Sequence, residues 1–183
     1  MLDTVSRIWS VELPWCNSLR EYLEEIVPYI KPWSEDLREE EFYVSEDGSK
    51  PWLEITDDAH IPEAVLHYFE SDGSYVKVVE GHVSSGRWRH FGGSNKIVID
   101  YGGSSIMYEL QYLDHRFFIL RKHGYNPNNP WLFFGYEPLV RGLPWRDCVE
   151  LLFETYRNRA RNVRLMVAFS VVLILLIILF SVF

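Results

Sequence analysis

The C-terminal end of the chain is an apolar run that constrains the fold more than any other feature. Residues 165–183 read LMVAFSVVLILLIILFSVF, without a charged residue, a proline or a glycine. A helix of this run would be roughly 28 Å long, which is close to the thickness of the hydrocarbon core of a bilayer. A helix in a soluble core rarely needs an apolar surface on every side. The run therefore predicts a single transmembrane helix that anchors the chain at its C-terminal end.

A cluster of arginines immediately precedes this run: Arg157, Arg159, Arg161 and Arg164. Positive residues beside a span favour the cytoplasmic side, and each contributes about 1 kcal/mol of attraction near an anionic membrane surface. We therefore expect these four residues at the membrane interface, the lipid bilayer as a partner, and the N-terminal domain in the cytoplasm. A nucleic-acid site is the alternative interpretation, but the cluster is short and adjoins an apolar run.

The remainder of the chain is acidic and carries few cysteines. The whole sequence has a formal net charge of −8, although it includes the arginine cluster. An acidic surface disfavours binding to DNA or RNA. Cys16 and Cys148 are far apart in the sequence and form neither a disulfide framework nor a zinc motif, which agrees with a reducing compartment. The first fifteen residues are interrupted by charges and do not resemble a cleavable secretory signal.

An amphipathic helix is predicted from Asn17 onward. Its apolar positions recur at helical intervals, and an acidic face lies opposite them. Ser18 and Glu21 have the spacing of a capping box, whereas Pro28 and Pro32 bend or end the helix. Because the polar face is acidic rather than basic, the helix is expected to cover a core and not to lie on a membrane.

From Trp52 onward the pattern changes to short β-prone runs separated by turns. These runs lie at 52–56, 63–70, 75–80, 86–91, 96–101, 105–112 and 116–121, and a further run at 131–136 is interpreted as an edge strand. Asp72-Gly73 between two such runs is typical of a hairpin. Connections this short leave no room for crossover helices, so six or seven strands are expected to form an antiparallel meander.

Part of this meander is similar to bacterial lipocalin-like domains. In those domains a Gly-x-Trp strand precedes a turn, then a strand ending in a polar residue, a Tyr-containing strand and a closing strand. Matching positions here are Gly86, Trp88, Ile97, Ile99, Tyr108, Leu110, Phe118 and Leu120, and the resemblance covers about residues 52–122. True lipocalins close eight strands around a ligand cavity, and fewer clear strands are visible here. We therefore expect an open sheet or a partial barrel.

The fold class predicted from these patterns is α+β, in three parts. Residues 1–142 form a cytosolic β-rich domain with an N-terminal helix, 143–164 a juxtamembrane helix, and 165–183 a transmembrane anchor. Pro144 suits a first helical turn, and no breaker follows it up to Arg164. A single long C-terminal helix is therefore expected to continue from the domain into the membrane span.

Catalytic and metal-binding motifs are not recognised in the sequence. The six histidines are scattered without paired spacing, and the acidic stretch at 35–47 does not match an EF-hand loop. No GxSxG elbow is present. We therefore expect no metal, no cofactor and no enzymatic activity.

The best local candidate for a binding surface is the basic and aromatic strand at 87–91. Arg87 and Arg89 flank Trp88 in an otherwise acidic domain, and together they are suited to capture an anionic ligand or a partner segment. The alternative interpretation is that Trp88 points into the core while both arginines project into water.

The function predicted from the sequence is binding rather than catalysis. We expect a tail-anchored, single-pass membrane protein whose cytosolic domain binds a ligand or a protein partner at the membrane surface, as a homo-oligomer or as a subunit of a membrane assembly. Two alternatives stay open: a membrane-acting effector triggered by a signal that the domain senses, and a membrane-tethered enzyme.

Overall fold

The computed structural model describes residues 15–46, 48–58, 64–91, 93–124 and 130–182. Its centre is a closed barrel in which every neighbouring pair of strands is antiparallel. The strands are β1 Trp52–Glu54, β2 Val65–Phe69, β3 Ser74–Val79, β4 His82–His90, β5 Lys96–Tyr101, β6 Ser104–Leu113, β7 Phe117–Lys122 and β8 Trp131–Tyr136. The helices are α1 Leu19–Ile30, α2 Glu137–Val140 and α3 Trp145–Val182, and short 3-10 turns lie at Lys31–Trp33 and Glu40–Phe42.

The barrel is closed by β8, which corrects the expectation of an open sheet or a partial barrel. The run at 131–136 is not an edge strand, because it pairs with β7 on one side and with β1 on the other. On the β1 side Trp52 lies opposite Tyr136, and Glu54 lies opposite Phe134. Eight paired strands are the number at which a barrel interior is just filled by side chains or holds one small ligand.

Two of the helices cover the outside of the barrel. Buried residues of α1 and α3 form one apolar core with outward-facing residues of β6, β7 and β8, including Leu23, Ile26, Phe133, Val149 and Leu152. The capping interaction predicted for α1 is confirmed, because the Ser18 hydroxyl accepts a hydrogen bond from the amide of Glu21 at 3.2 Å. The carboxylate of Asp57 also accepts one from the amide of Leu19 at 2.7 Å, which ties the start of α1 to the chain after β1.

The first turns of α3 are amphipathic and dock on the barrel, with Cys148, Phe153 and Tyr156 buried. Among the residues that the structure describes, no helix is both long enough and apolar enough to cross a bilayer. The prediction that the C-terminal helix continues into a single transmembrane span is therefore wrong, and so is the description of the chain as tail-anchored.

The arginines predicted at a membrane interface lie on α3 after its docked turns. Arg157 and Arg161 have exposed side chains, and a guanidinium nitrogen of Arg157 lies 3.6 Å from a carboxylate oxygen of Glu154. The side chains of Arg159 and Arg164 lie outside the described part of the structure. A contact of the four residues with lipid stays a prediction.

Candidate ligand site at the open end of the barrel

The interior of the barrel has two unlike halves. Side chains alternate between the two faces along each strand, and residues paired across neighbouring strands share a face. Trp52 is buried in the barrel interior, so its register partners His67 and Tyr136 face inward as well. One half is filled by rings that are almost completely buried: Trp52, Phe69, Trp88, Phe118 and Phe134. Neighbouring rings meet at centroid separations near 6 Å, for example 5.5 Å between Phe69 and Phe118, in tilted or edge-to-face arrangements. This half is a packed core.

The aromatic half is sealed by residues 34–46, which we call the plug segment. Tyr43 enters the barrel from this segment and is fully buried. Its carbonyl accepts a hydrogen bond from the indole of Trp52 at 3.0 Å, and its hydroxyl donates to the carbonyl of Leu37 at 3.0 Å and contacts Nε2 of His90. Burial raises the pKa of Tyr43, so its hydroxyl stays protonated.

The opposite half of the interior is polar and reaches water. The register places a set of inward-facing side chains there, which we call the mouth: Glu54, His67, Tyr75, Lys77, Tyr101, Tyr108 and Lys122. The side chains of Glu54 and Lys77 are 22% and 26% exposed although they point into the barrel. Tyr101, Tyr108 and Lys122 are partly exposed as well. Water therefore enters the barrel at this end.

A hydrogen-bonded row of three side chains lies at the base of the mouth. Nε2 of His67 lies 3.0 Å from a carboxylate oxygen of Glu54, and Nδ1 of His67 lies 2.5 Å from the hydroxyl of Tyr75. Both contacts are satisfied by a neutral imidazole that donates from Nε2 to Glu54 and accepts the Tyr75 proton at Nδ1. The ammonium of Lys77 lies 3.9 Å from the same carboxylate oxygen of Glu54.

Burial sets the protonation of this row. It lowers the pKa of His67 and raises the pKa of Tyr75. Burial and the charge of Glu54 raise the pKa of Tyr108 to about 12. Burial would also raise the pKa of Glu54, but the hydrogen bond from His67 and the positive charge of Lys77 outweigh it and lower the pKa. At neutral pH the row therefore holds one carboxylate, one neutral imidazole and one neutral phenol, and the Tyr108 phenol is neutral as well.

The wall of the mouth combines rings with hydrogen-bond donors. The rings of Tyr75 and Tyr101 meet edge to face at 5.9 Å between centroids, and the Lys77 ammonium lies 5.9 Å from the centroid of Tyr101. On the other side of the barrel, Tyr108 and Lys122 are register partners across β6 and β7. Rings suit an apolar surface, and phenol and ammonium groups suit the polar end of a small molecule.

The groups of this row are hydrogen-bonded to one another. Both nitrogens of His67 are hydrogen-bonded within the protein, Nε2 to Glu54 and Nδ1 to Tyr75. Among the described residues, no three His, Cys, Asp or Glu side chains are grouped as a metal site would require.

The site residues predicted from the sequence are not brought to the mouth. Trp88 points inward on β4 and is 7% exposed in the aromatic half. Arg87 and Arg89 point outward into water, and Arg89 forms an ion pair with Asp100. The structure thus separates the ring from the two cations, which is the arrangement that the alternative interpretation of this strand describes.

The row of Glu54, His67 and Tyr75 is not among the site residues predicted from the sequence, although one signal points to it. In β2 His67 shares its alternation with Val65 and Phe69, which are both buried, so strand periodicity alone places His67 inside. A buried histidine requires partners for both nitrogens. Those partners, Glu54 and Tyr75, belong to different strands and meet His67 only through the register of the sheet.

Fold and site together define an eight-stranded antiparallel β-barrel, sealed at one end and polar at the other, consistent with a lipocalin-like fold. No protein-family model matches the chain, and neither a curated protein nor a solved structure is significantly similar to it.

Proposed function

We propose that this protein binds a small molecule in the mouth of its barrel. The observation that carries the proposal is the contrast between the two ends of the interior. At the plug end Trp52, Phe69 and Phe118 are fully buried, whereas at the mouth inward-facing Glu54 and Lys77 are reached by water. Rings and a few convergent polar groups at the open end of a barrel are typical of small-molecule binding.

The architecture supports the same proposal. An eight-stranded barrel with one closed end and one accessible end is how lipocalins hold a small ligand. The proposal also includes that this chain is related to the bacterial lipocalin-like domains, which residues 52–122 resemble. Binding is favoured over catalysis because His67 and Tyr75 are buried and burial keeps the Tyr75 phenol protonated by raising its pKa, so the row presents no activated nucleophile to a ligand.

The test is a fluorescence titration of the full chain with phenylnaphthylamine, an uncharged aromatic probe that brightens in apolar surroundings. Ser84 faces the mouth opposite Lys77, whereas the next residue, Ser85, faces outward and is exposed. Ser84→Trp places an indole in the mouth, and Ser85→Trp places the same indole in water. We expect Ser84→Trp to weaken binding of the probe at least about ten-fold, since it occupies the site, and Ser85→Trp to leave it unchanged.

Equal binding by the wild type and both variants would overturn the proposal, because the probe would then be bound elsewhere. A candidate for such binding is the exposed apolar surface of α3 around Phe169. Absence of binding by the wild type would overturn it as well. Circular dichroism of both variants checks that the barrel is intact.

A further inference from the structure

The two lysines of the mouth have different surroundings. The Lys77 ammonium lies 3.9 Å from the carboxylate of Glu54, which neutralises it. Lys122 is the last residue of β7 and shares the inward face with Leu120, which is fully buried. Among the described residues, no carboxylate forms an ion pair with Lys122. The mouth therefore carries two ammonium groups and one carboxylate, within a chain whose net charge is −8.

A hydrogen-bond donor accompanies Lys122 on the same wall. Its register partner is Tyr108, whose side chain is partly exposed on the inward face of β6. Burial and, after it, the charge of Glu54 raise the pKa of Tyr108 to about 12, so its phenol stays protonated. Because Tyr108 and Lys122 are register partners, their phenol and ammonium can both donate to one anionic group.

The remaining surface of the mouth is suited to an apolar body. Leu132 lies opposite Leu120 across β7 and β8 and is partly exposed, and Ile106 is partly exposed on the inward face of β6. Beneath them the interior is closed by the rings of the aromatic half. A molecule entering this end meets the ammonium of Lys122 and the phenol of Tyr108 on one side and apolar side chains next to them.

We infer that the ligand is an amphipathic molecule with a single acidic group, held by Lys122 and Tyr108, and with an apolar body that lies along Leu132 and Ile106. This inference rests on the proposed function and adds the chemical class of the ligand. Lys77 is a secondary contact because its ammonium already forms an ion pair with Glu54.

The test compares two probes that differ by one acidic group. Anilinonaphthalene sulfonate carries the aromatic body of phenylnaphthylamine together with a sulfonate. Lys122→Met removes the ammonium while keeping a chain of similar length. Its matched control is Arg121→Met, because Arg121 is the preceding residue on β7 but faces outward, with its guanidinium 5.2 Å from the ring of Trp131.

We expect Lys122→Met to bind the sulfonate probe about ten-fold more weakly than the wild type does, and to bind phenylnaphthylamine with unchanged affinity. Arg121→Met is expected to bind both probes like the wild type. Equal loss in both variants would overturn the inference, because it would show that overall charge and not Lys122 attracts the probe. Retention of sulfonate binding by Lys122→Met would also overturn it.

Failure of this inference is distinguishable from failure of the proposed function. If Ser84→Trp abolishes phenylnaphthylamine binding while Lys122→Met changes neither titration, the mouth binds a ligand but not through an acidic group. If Ser84→Trp leaves phenylnaphthylamine binding intact, the proposed site itself is wrong, and this inference with it.

Discussion

At the scale of single residues, His67 determines how the polar half of the barrel is held. It is 1% exposed, and both of its nitrogens are hydrogen-bonded within the protein. A buried polar group without a partner costs about 1–3 kcal/mol, so the contacts with Glu54 and Tyr75 are needed for His67 to be inside at all. The same contacts fix the position of the Tyr75 ring at the base of the mouth.

The burial of His67 makes stability depend on pH with a definite sign. Its pKa in the folded protein is lowered from the ordinary 6.5. Between the two pKa values, His67 is protonated in the unfolded chain but stays neutral in the folded protein. The resulting stabilisation is present above pH 6.5 and is lost as the pH falls through the lowered value. We expect the free energy of unfolding, measured in urea, to decrease between about pH 7 and about pH 5.

His67→Gln provides the control for this prediction, because an amide retains hydrogen-bonding capacity but does not titrate. The variant is expected to be less stable than the wild type at pH 7 and to show a flatter dependence on pH over the same interval. An equally steep decrease in the variant would assign the effect to other groups.

At the scale of elements, glycines permit two close approaches within the barrel and around it. A Cβ atom at Gly86 on β4 would overlap the carbonyl oxygen of Asp100 on β5, which is part of the backbone. A Cβ atom at Gly135 on β8 would lie 2.7 Å from both γ-carbons of Val140 on α2, which belong to a side chain. The carbonyl of Asp100 is held in place by the sheet, whereas the side chain of Val140 can be shortened by substitution.

Alanine substitutions are expected to reveal this difference. Gly86→Ala should lower the free energy of unfolding by more than about 2 kcal/mol, because β4 and β5 must separate to admit the methyl group. Gly135→Ala should also destabilise, and combining it with Val140→Ala should recover part of the loss relative to the sum of the single changes. Urea denaturation of the four proteins measures both effects. A double variant whose loss equals that sum would contradict the account of Gly135.

At the scale of the whole molecule, local patterns predicted the elements but not their closure. The cap of α1 and the antiparallel meander follow from neighbouring residues, and most runs correspond to strands. Closure depends on β8 pairing with β1, and β1 has only three residues, so a local pattern carries little information about it. The role of the plug segment likewise does not follow from local patterns, because it depends on Tyr43 lying inside the barrel.

The candidate site depends on closure for the same reason. Glu54, His67 and Tyr75 come from three strands, and Lys122 faces them only because the sheet curves round to β7. The prediction of Arg87, Trp88 and Arg89 as a binding surface rests on composition along one strand, which does not distinguish the inner face of a barrel from the outer face. The apolar composition of 165–183 similarly favoured a membrane span, and no such helix is found among the described residues.

The most direct test of binding in the mouth is a map of the site by nuclear magnetic resonance. Amide spectra of the isotopically labelled full chain are recorded with and without phenylnaphthylamine. We expect the largest shifts at Glu54, His67, Lys77 and Tyr108, and little change at Tyr43 in the plug segment. Shifts confined to α3 around Phe169, with the amides of the mouth unchanged, would contradict a ligand site in the barrel.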